Sequence, residues 1–207
     1  RREFTARIAD HGLEISALNC SGNHLAPGDY GKRHDALVRK TFRLANLLGI
    51  DRIVMMSGCP GGPGDSNPNW ITTAWPPETS KVLEWQWNEM VIPYWRELVS
   101  FARETGIRRI CIEIHGGMVV YNIETMLRLR DAVGETVGAN YDPSHMMWMG
   151  GEPLTGIPEL GEAIFYVHAK DTRINPVKAG PNTTLETKPG DRVRERSWNY
   201  VTLGYGH

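Results

Sequence analysis

A helical stretch, a glycine and a short apolar run ending in a polar residue recur five times along the chain. Each glycine stands where a helix would need a residue free to take positive φ: Gly12, Gly49, Gly106, Gly134 and Gly161. The apolar runs show little polar alternation, which is typical of strands covered on both faces. They predict strands over residues 13–18, 53–56, 110–114, 137–141 and 164–167.

The segments between these runs have apolar stripes at helical spacing. Residues 33–48 and 80–104 each place such a stripe on one face, as expected of helices that pack on a sheet. Asn122 is the predicted N-cap of a third helix that ends before Gly134. Pro93 interrupts the second helix, and we expect a kink there.

Repeated strand-then-helix units predict a parallel sheet, which is either doubly wound or closed as a (β/α)8 TIM barrel. No GxGxxG follows a strand, and polar residues end all five strands, which favours the barrel. We therefore predict an α/β fold with a single partial barrel domain over residues 1–207. Five units in 207 residues fall short of the roughly 250 residues of this fold, so the first strands and the last one are expected to be missing.

The composition of the chain argues against several classes of binding partner. The 23 Lys and Arg residues balance 24 Asp and Glu residues, which leaves no broad basic surface for nucleic acid or an anionic membrane. No apolar run approaches the roughly 18 residues of a membrane span. The three cysteines form no CxxC pair. We expect a cytoplasmic protein with a small-molecule partner, and seven tryptophans leave a helix-mediated homo-oligomer open.

Polar residues at the carboxyl ends of parallel strands converge, and here they include Glu113, Asp142 and His168. Each has a structural alternative: Asp142 before Pro143 could start a helix, Glu113 could pair with an arginine, and His168 could be a hydrogen-bonded core residue. Together they favour a metal site, because three converging buried ionisable groups without a cation are costly. Two carboxylates and an imidazole suit Mn, Mg, Co or Zn.

Two long loops interrupt the repeat. Residues 58–79 contain Trp70 and are expected to lie over the barrel mouth, where aromatic side chains often close a pocket. Residues 172–197 are polar and rich in arginine. We interpret them as a solvated excursion, with an anion-binding lid as the alternative.

Three segments, 112–115 (IEIH), 140–145 (NYDPSH) and 167–171 (VHAKD), resemble the sugar phosphate isomerase/epimerase family. This is the xylose isomerase-like TIM barrel family, which includes D-tagatose 3-epimerase and inosose dehydratase. The resemblance extends from about Gly12 to Gly206. It implies one divalent metal ion held by Glu113, Asp142 and His168, with a second Glu on a last strand that this sequence does not reach.

The resemblance also implies a reaction on a small sugar or polyol. The metal acts as a Lewis acid for an enediolate formed when Glu113 takes the proton next to a carbonyl. His145 is the other implied catalytic residue, and Asp171 would orient His168. The expected substrate-binding residues are His115, His145, Lys170, Arg173 and Trp70.

Four other functions have to be weighed. An inosose dehydratase-type lyase would use the same site. An endonuclease IV-like repair enzyme needs three zinc ions, and an Asp-x-His motif is absent from residues 172–199. A Schiff-base lyase at Lys170 conflicts with nearby carboxylates that keep the lysine protonated. A sugar-binding barrel without catalysis would lack the proton-transfer pair.

Overall fold

A computed structural model describes residues 2–206. Five parallel strands form one sheet, in which they lie in the order of the chain. They are β1 (Leu18–Asn19), β2 (Arg52–Met56), β3 (Arg109–Glu113), β4 (Val137–Tyr141) and β5 (Ile164–Val167). A doubly wound sheet would reverse its order at a switch point. The sequential order is that of a (β/α)8 barrel wall, which the described residues leave open.

Helices connect the strands. They are α1 (Arg2–Asp10), α2 (Gly28–Leu48), α3 (Glu78–Trp85), α4 (Ile92–Glu104), α5 (Ile123–Val133), α6 (Pro143–Trp148), α7 (Pro153–Leu160) and α8 (Pro176–Asn182). A 3₁₀ turn, Gly161–Ala163, precedes β5. No helix among residues 2–206 has the length and apolar character needed to cross a membrane.

Local sequence signals set the helix ends. All five predicted glycines have positive φ, between 47° at Gly161 and 95° at Gly134. Asn122 caps α5 as predicted, because its side chain accepts a hydrogen bond from Thr125 N at 2.9 Å. These features depend on a few neighbouring residues, which explains why the sequence alone predicts them.

The predicted strand over residues 13–18 is almost entirely absent, since β1 contains only Leu18 and Asn19. The register explains this: Leu18 pairs with Ile53, while β2 begins at Arg52. Residues before 17 therefore extend past the start of β2 and have no backbone there to pair with.

The predicted helix over residues 80–104 contains a change of helical type. The segment from Gln86 to Val91 is a π-helix between α3 and α4. It ends two residues before Pro93, which has no N–H to donate to the carbonyl of Glu89. The wider turn accommodates the proline without ending the helix.

Most of residues 172–197 are exposed, as expected of a solvated excursion, but the segment is tied down at its two ends and at one buried carboxylate. The segment belongs to a hairpin in which β6 (Asp171–Ile174) pairs antiparallel with β7 (Trp198–Val201). The side chain of Glu186, only 4% exposed, accepts hydrogen bonds from the backbone N–H and hydroxyl of Ser197 and from Lys188 and Arg196. The carboxylate of Glu186 therefore holds Lys188, Arg196 and Ser197 together, while residues 189–195 stay exposed.

Candidate metal centre

The ends of neighbouring strands deliver two carboxylates to one place. Glu113 is the last residue of β3, and it pairs in register with Asn140 of β4. Asp142 follows β4 and caps α6, since its Oδ1 accepts hydrogen bonds from the backbone N–H and hydroxyl of Ser144 at 3.0 and 2.6 Å. Asp142 therefore starts α6 and also lies at the candidate site, as both of its predicted roles require.

One turn into α6, His145 completes a compact buried group. Ligand atoms of Glu113, Asp142 and His145 lie within 4.8 Å of one another. His145 Nε2 is 3.0 Å from Glu113 Oε1 and 3.3 Å from Asp142 Oδ2. The three residues are 5%, 0% and 1% exposed, so their charges depend on each other more than on water.

Two further predicted residues border this group. His168 Nδ1 lies 3.6 Å from Glu113 Oε1 and 3.9 Å from Asp142 Oδ2. Lys170 Nζ forms an ion pair with Asp142 Oδ2 at 2.7 Å. The chain thus places Glu113, Asp142 and His168 together, with His145 as a second candidate imidazole. Their roles as metal ligands stay a prediction.

The cluster keeps its carboxylates ionised. Burial raises the pKa of Glu113, but the hydrogen bond and the charge of His145 outweigh burial and lower that pKa. The same balance lowers the pKa of Asp142, where His145, Lys170 and Ser144 oppose burial. Burial lowers the pKa of His145, and its carboxylate partners reverse that effect and raise it. For His115, burial and the charge of His145 lower the pKa.

The donor set fits a divalent cation. Asp142 Oδ2 is buried and receives no well-aligned hydrogen bond from the described residues, although Lys170 Nζ lies 2.7 Å away. A carboxylate oxygen has two lone pairs, which makes Asp142 Oδ2 a candidate ligand atom for a cation. Two hard oxygens and an imidazole are ligands for Mn, Mg, Co or Zn.

Aromatic residues surround His145 on its other side. Trp148 Nε1 donates a hydrogen bond to His145 Nδ1 at 3.3 Å, and Tyr200 Oη lies 3.0 Å from the same nitrogen. The His115 and His145 ring centroids are 4.0 Å apart. Tyr200 is absent from the sequence-based site because it enters through β7. The sequence signal for Tyr200 is that it stands two residues after Trp198, so that both side chains lie on the same face of β7.

Three residues predicted for the site, Trp70, Arg173 and Asp171, have their observed contacts with residues outside the Glu113, Asp142 and His145 group. Trp70 packs edge to face on Tyr121, with 5.7 Å between ring centroids. Arg173 lies on the exposed side of β6. The Asp171 carboxylate accepts hydrogen bonds from the backbone N–H groups of Gly204 and Gly206 at 3.0 and 2.8 Å. The expected parts of Trp70 and Arg173 in substrate binding, and of Asp171 in orienting His168, stay predictions.

Comparisons with known proteins agree with this architecture. Residues 1–207 match the family described as the xylose isomerase-like TIM barrel. The uncharacterised protein YfiH of Bacillus subtilis (strain 168) is 47% identical over 209 residues, covering the whole chain and 67% of YfiH.

Solved structures share the fold at low sequence identity. The IolI protein with a bound zinc atom superposes with a TM-score of 0.61 at 18% identity, over 99% of this chain and 63% of IolI. A D-tagatose 3-epimerase-like protein gives a TM-score of 0.57 at 20% identity, over 83% of this chain and 61% of that protein. The chain thus spans less than two thirds of the length of either structure.

Proposed function

Because the chain belongs to the xylose isomerase-like TIM barrel family, we propose that it carries the metal-binding part of a sugar isomerase or epimerase. The substrate class is a small keto sugar or polyol. The observation that carries this proposal is the buried Glu113, Asp142 and His145 group with His168 and Lys170 at its border. The resemblance to a D-tagatose 3-epimerase-like protein and to zinc-containing IolI supports it.

Glu113 and Asp142, with one imidazole, would hold the divalent ion. When bound, that ion supplies Lewis-acid polarisation of a carbonyl. The choice of these residues follows from their donor atoms, because two carboxylates leave coordination positions open for a substrate.

The protein side chains themselves supply proton handling and orientation. Glu113 Oε1 is the candidate base for a proton next to a carbonyl, and its lowered pKa keeps it ionised near neutral pH. His145, whose Nε2 lies 3.0 Å from Glu113 Oε1, is the candidate hydrogen-bond donor to a substrate oxygen. The ammonium of Lys170, 2.7 Å from Asp142 Oδ2, adds positive charge where negative charge would develop on substrate.

The test measures metal content and proton exchange on the same protein. Purified without chelator, the chain is expected to hold about one divalent ion, and the Glu113→Gln, Asp142→Asn double variant to lose it. In D2O, a panel of keto sugars is expected to exchange the hydrogen next to the carbonyl. Exchange should fall by about 100-fold or more in Glu113→Gln.

The matched control is Glu162→Gln, which changes an exposed glutamate before β5 and should leave both measurements unaltered. Three zinc ions per chain would favour the nuclease alternative. A metal that binds without any exchange would favour a sugar-binding barrel. Absence of metal from the wild-type chain would refute the proposal.

A further inference from the structure

A second cavity lies between the start of α2, the loop after β2, the π-helical segment and the first turn of α4. Its volume is about 600 Å³, and small-molecule sites usually measure roughly 300–1,000 Å³. The described residues that line it include none of the candidate metal centre, which comprises Glu113, Asp142, His145, His168 and Lys170. The cavity is therefore a separate place where a small molecule could bind.

The imidazole of His24 lines this cavity and is only 5% exposed. Neither ring nitrogen has a well-aligned hydrogen bond to a described residue. The backbone acceptor near the ring is the carbonyl of Ser57, which already accepts a hydrogen bond from Trp95 Nε1 at 3.0 Å. A buried ring nitrogen without a partner is costly, so at least one nitrogen of His24 is available to a ligand.

The neighbours of His24 hold its ring in place. Asn23 exchanges two hydrogen bonds with the backbone of Cys59, at 2.8 and 2.9 Å. The His24 ring stacks on the Tyr94 ring, with 4.7 Å between centroids. A Cβ atom at Gly58, where φ is 80°, would lie 3.1 Å from His24 Nε2, so a glycine suits this close approach. The imidazole is thus fixed at the cavity wall.

This imidazole offers a lone pair. Burial and the charge of His34 lower the pKa of His24 to about 3, so the ring is neutral near neutral pH. A neutral imidazole carries one N–H and one acceptor nitrogen. A ligand with N–H groups can therefore donate to it.

The cavity wall is acidic. Its charged side chains are four carboxylates and one ammonium: Asp35, Asp65, Glu89, Glu97 and Lys32. Arg39 pairs with Asp35 at 3.0 Å and with Glu97 at 2.9 Å, but carboxylates still outnumber cations. The resulting negative potential favours a positively charged ligand over a phosphate or a carboxylate.

An organic cation fits this wall better than a metal ion. Within residues 2–206, three metal-ligating side chains come together only at Glu113, Asp142 and His145. The indole of Trp85 also lines the cavity, and an aromatic face attracts an ammonium group. We propose that the cavity binds a small organic amine, whose ammonium donates to His24 and to the carboxylates of the wall. This inference does not rest on the proposed function.

Three probes of one shape but different charge test the ligand class: benzylammonium, benzyl alcohol and benzoate. Each is titrated into the ¹⁵N-labelled chain and followed in ¹H–¹⁵N correlation spectra. Benzylammonium is expected to bind at least tenfold more tightly than benzyl alcohol, and benzoate more weakly than either. The largest shifts should fall in residues 23–28 and 60–65. Cyclohexylammonium and glucosamine extend the test to amines without an aromatic ring.

His24→Leu removes the acceptor nitrogen and keeps an apolar side chain in its place. It should weaken the binding of benzylammonium at least tenfold. His11→Leu is the matched control, because His11 is exposed and lies outside the cavity wall; its affinity should equal that of wild type. Cooperative urea unfolding verifies that both variants fold, and the wild-type titrations decide the ligand class without them.

The Glu113→Gln, Asp142→Asn double variant should bind benzylammonium within about twofold of wild type, because the metal centre is a different site. Loss of metal binding with retained amine binding would sink the proposed function and leave this inference standing. Equal affinity for benzylammonium and benzyl alcohol, shifts confined to the metal centre, or unchanged affinity in a folded His24→Leu chain would overturn the inference. So would binding of none of the three amines up to about 20 mM.

Discussion

At the scale of single residues, charge partners determine how a buried carboxylate behaves. Asp142 and Glu186 are both almost inaccessible to water, with side chains 0% and 4% exposed. Burial raises the pKa of Glu186, but hydrogen bonds from Lys188 and Ser197 outweigh burial and lower it to about 2. Asp142 has the same kind of support from His145 and Lys170.

Replacing Glu186 tests this balance away from the candidate site. Its pKa is lower in the folded chain than in the unfolded chain, so its stabilisation is complete above the unfolded value, about 4.5, and is lost as the pH falls towards 2. Glu186→Gln is expected to reduce the free energy of unfolding by about 1–3 kcal/mol at pH 7.

Urea unfolding at pH 7 and near pH 4 measures this difference, which should be smaller at the lower pH. Glu195→Gln is the control, because the Glu195 side chain is 58% exposed and pairs with Arg192 at 3.4 Å. That variant should change stability by less than about 0.5 kcal/mol. A Glu186→Gln effect of equal size at both pH values would contradict the charge argument.

At the scale of elements, the π-helical segment anchors the loop that precedes α3. Gln86 begins this segment and is 1% exposed. Its Nε2 lies within hydrogen-bond distance of the carbonyls of Pro60, Gly61 and Asn69, at 3.0, 3.2 and 2.8 Å. One amide therefore fixes both ends of a stretch that has no regular structure of its own.

Gln86→Leu should loosen this loop and leave the sheet intact. We expect backbone amides of residues 60–71 to exchange with D2O at least tenfold faster, because opening the loop no longer breaks the Gln86 hydrogen bonds. Mass spectrometry of peptides from the exchanged protein measures the effect. Glu89→Gln, at an exposed position of the same segment, is the control. Unchanged exchange in Gln86→Leu would refute the anchoring role.

The elements also show which features the sequence can predict. Helix ends at glycine and the Asn122 cap depend on adjacent residues, and β3, β4 and β5 lie where their apolar runs predicted. The length of β1 depends on its register with β2, and the hairpin depends on contacts such as Glu186 with Ser197. No local pattern contains such contacts.

The candidate site divides in the same way. Strand topology brings Glu113, Asp142 and His168 together, so their grouping follows from the positions of polar residues at strand ends. The partners of His145 Nδ1 are Trp148 of α6 and Tyr200 of β7, and the contact with Tyr200 depends on the hairpin, which no local pattern predicts.

At the scale of the whole molecule, the sheet curls until its two outer strands approach each other. Ser16, just before β1, has its hydroxyl 2.8 Å from Tyr166 Oη of β5, although 150 positions separate the two residues. Arg52 of β2 also lies over the Tyr166 ring, 5.9 Å from its centroid. Curvature of this kind is what a barrel wall requires.

A double-mutant cycle measures how strongly the curl couples these strands. Ser16→Ala, Tyr166→Phe and the double variant are compared by urea unfolding. We expect a coupling energy of about 0.5–1 kcal/mol, because each single variant removes the same hydrogen bond. Cys111→Ala combined with Ser16→Ala is the control pair and should be additive within about 0.5 kcal/mol. Additive Ser16 and Tyr166 effects would show that the approach of the strands adds no stability.

The parallel tryptophans between α6 and β7 have an optical consequence. Two stacked indole rings with centroids 4.8 Å apart and planes 4° from parallel couple their electronic transitions, which gives an exciton feature in circular dichroism. Trp148 belongs to the helix of His145, while Trp198 belongs to the hairpin. The circular dichroism of the unlabelled chain therefore reports whether the hairpin is docked on α6 beside the candidate site, separately from the helical content of the barrel.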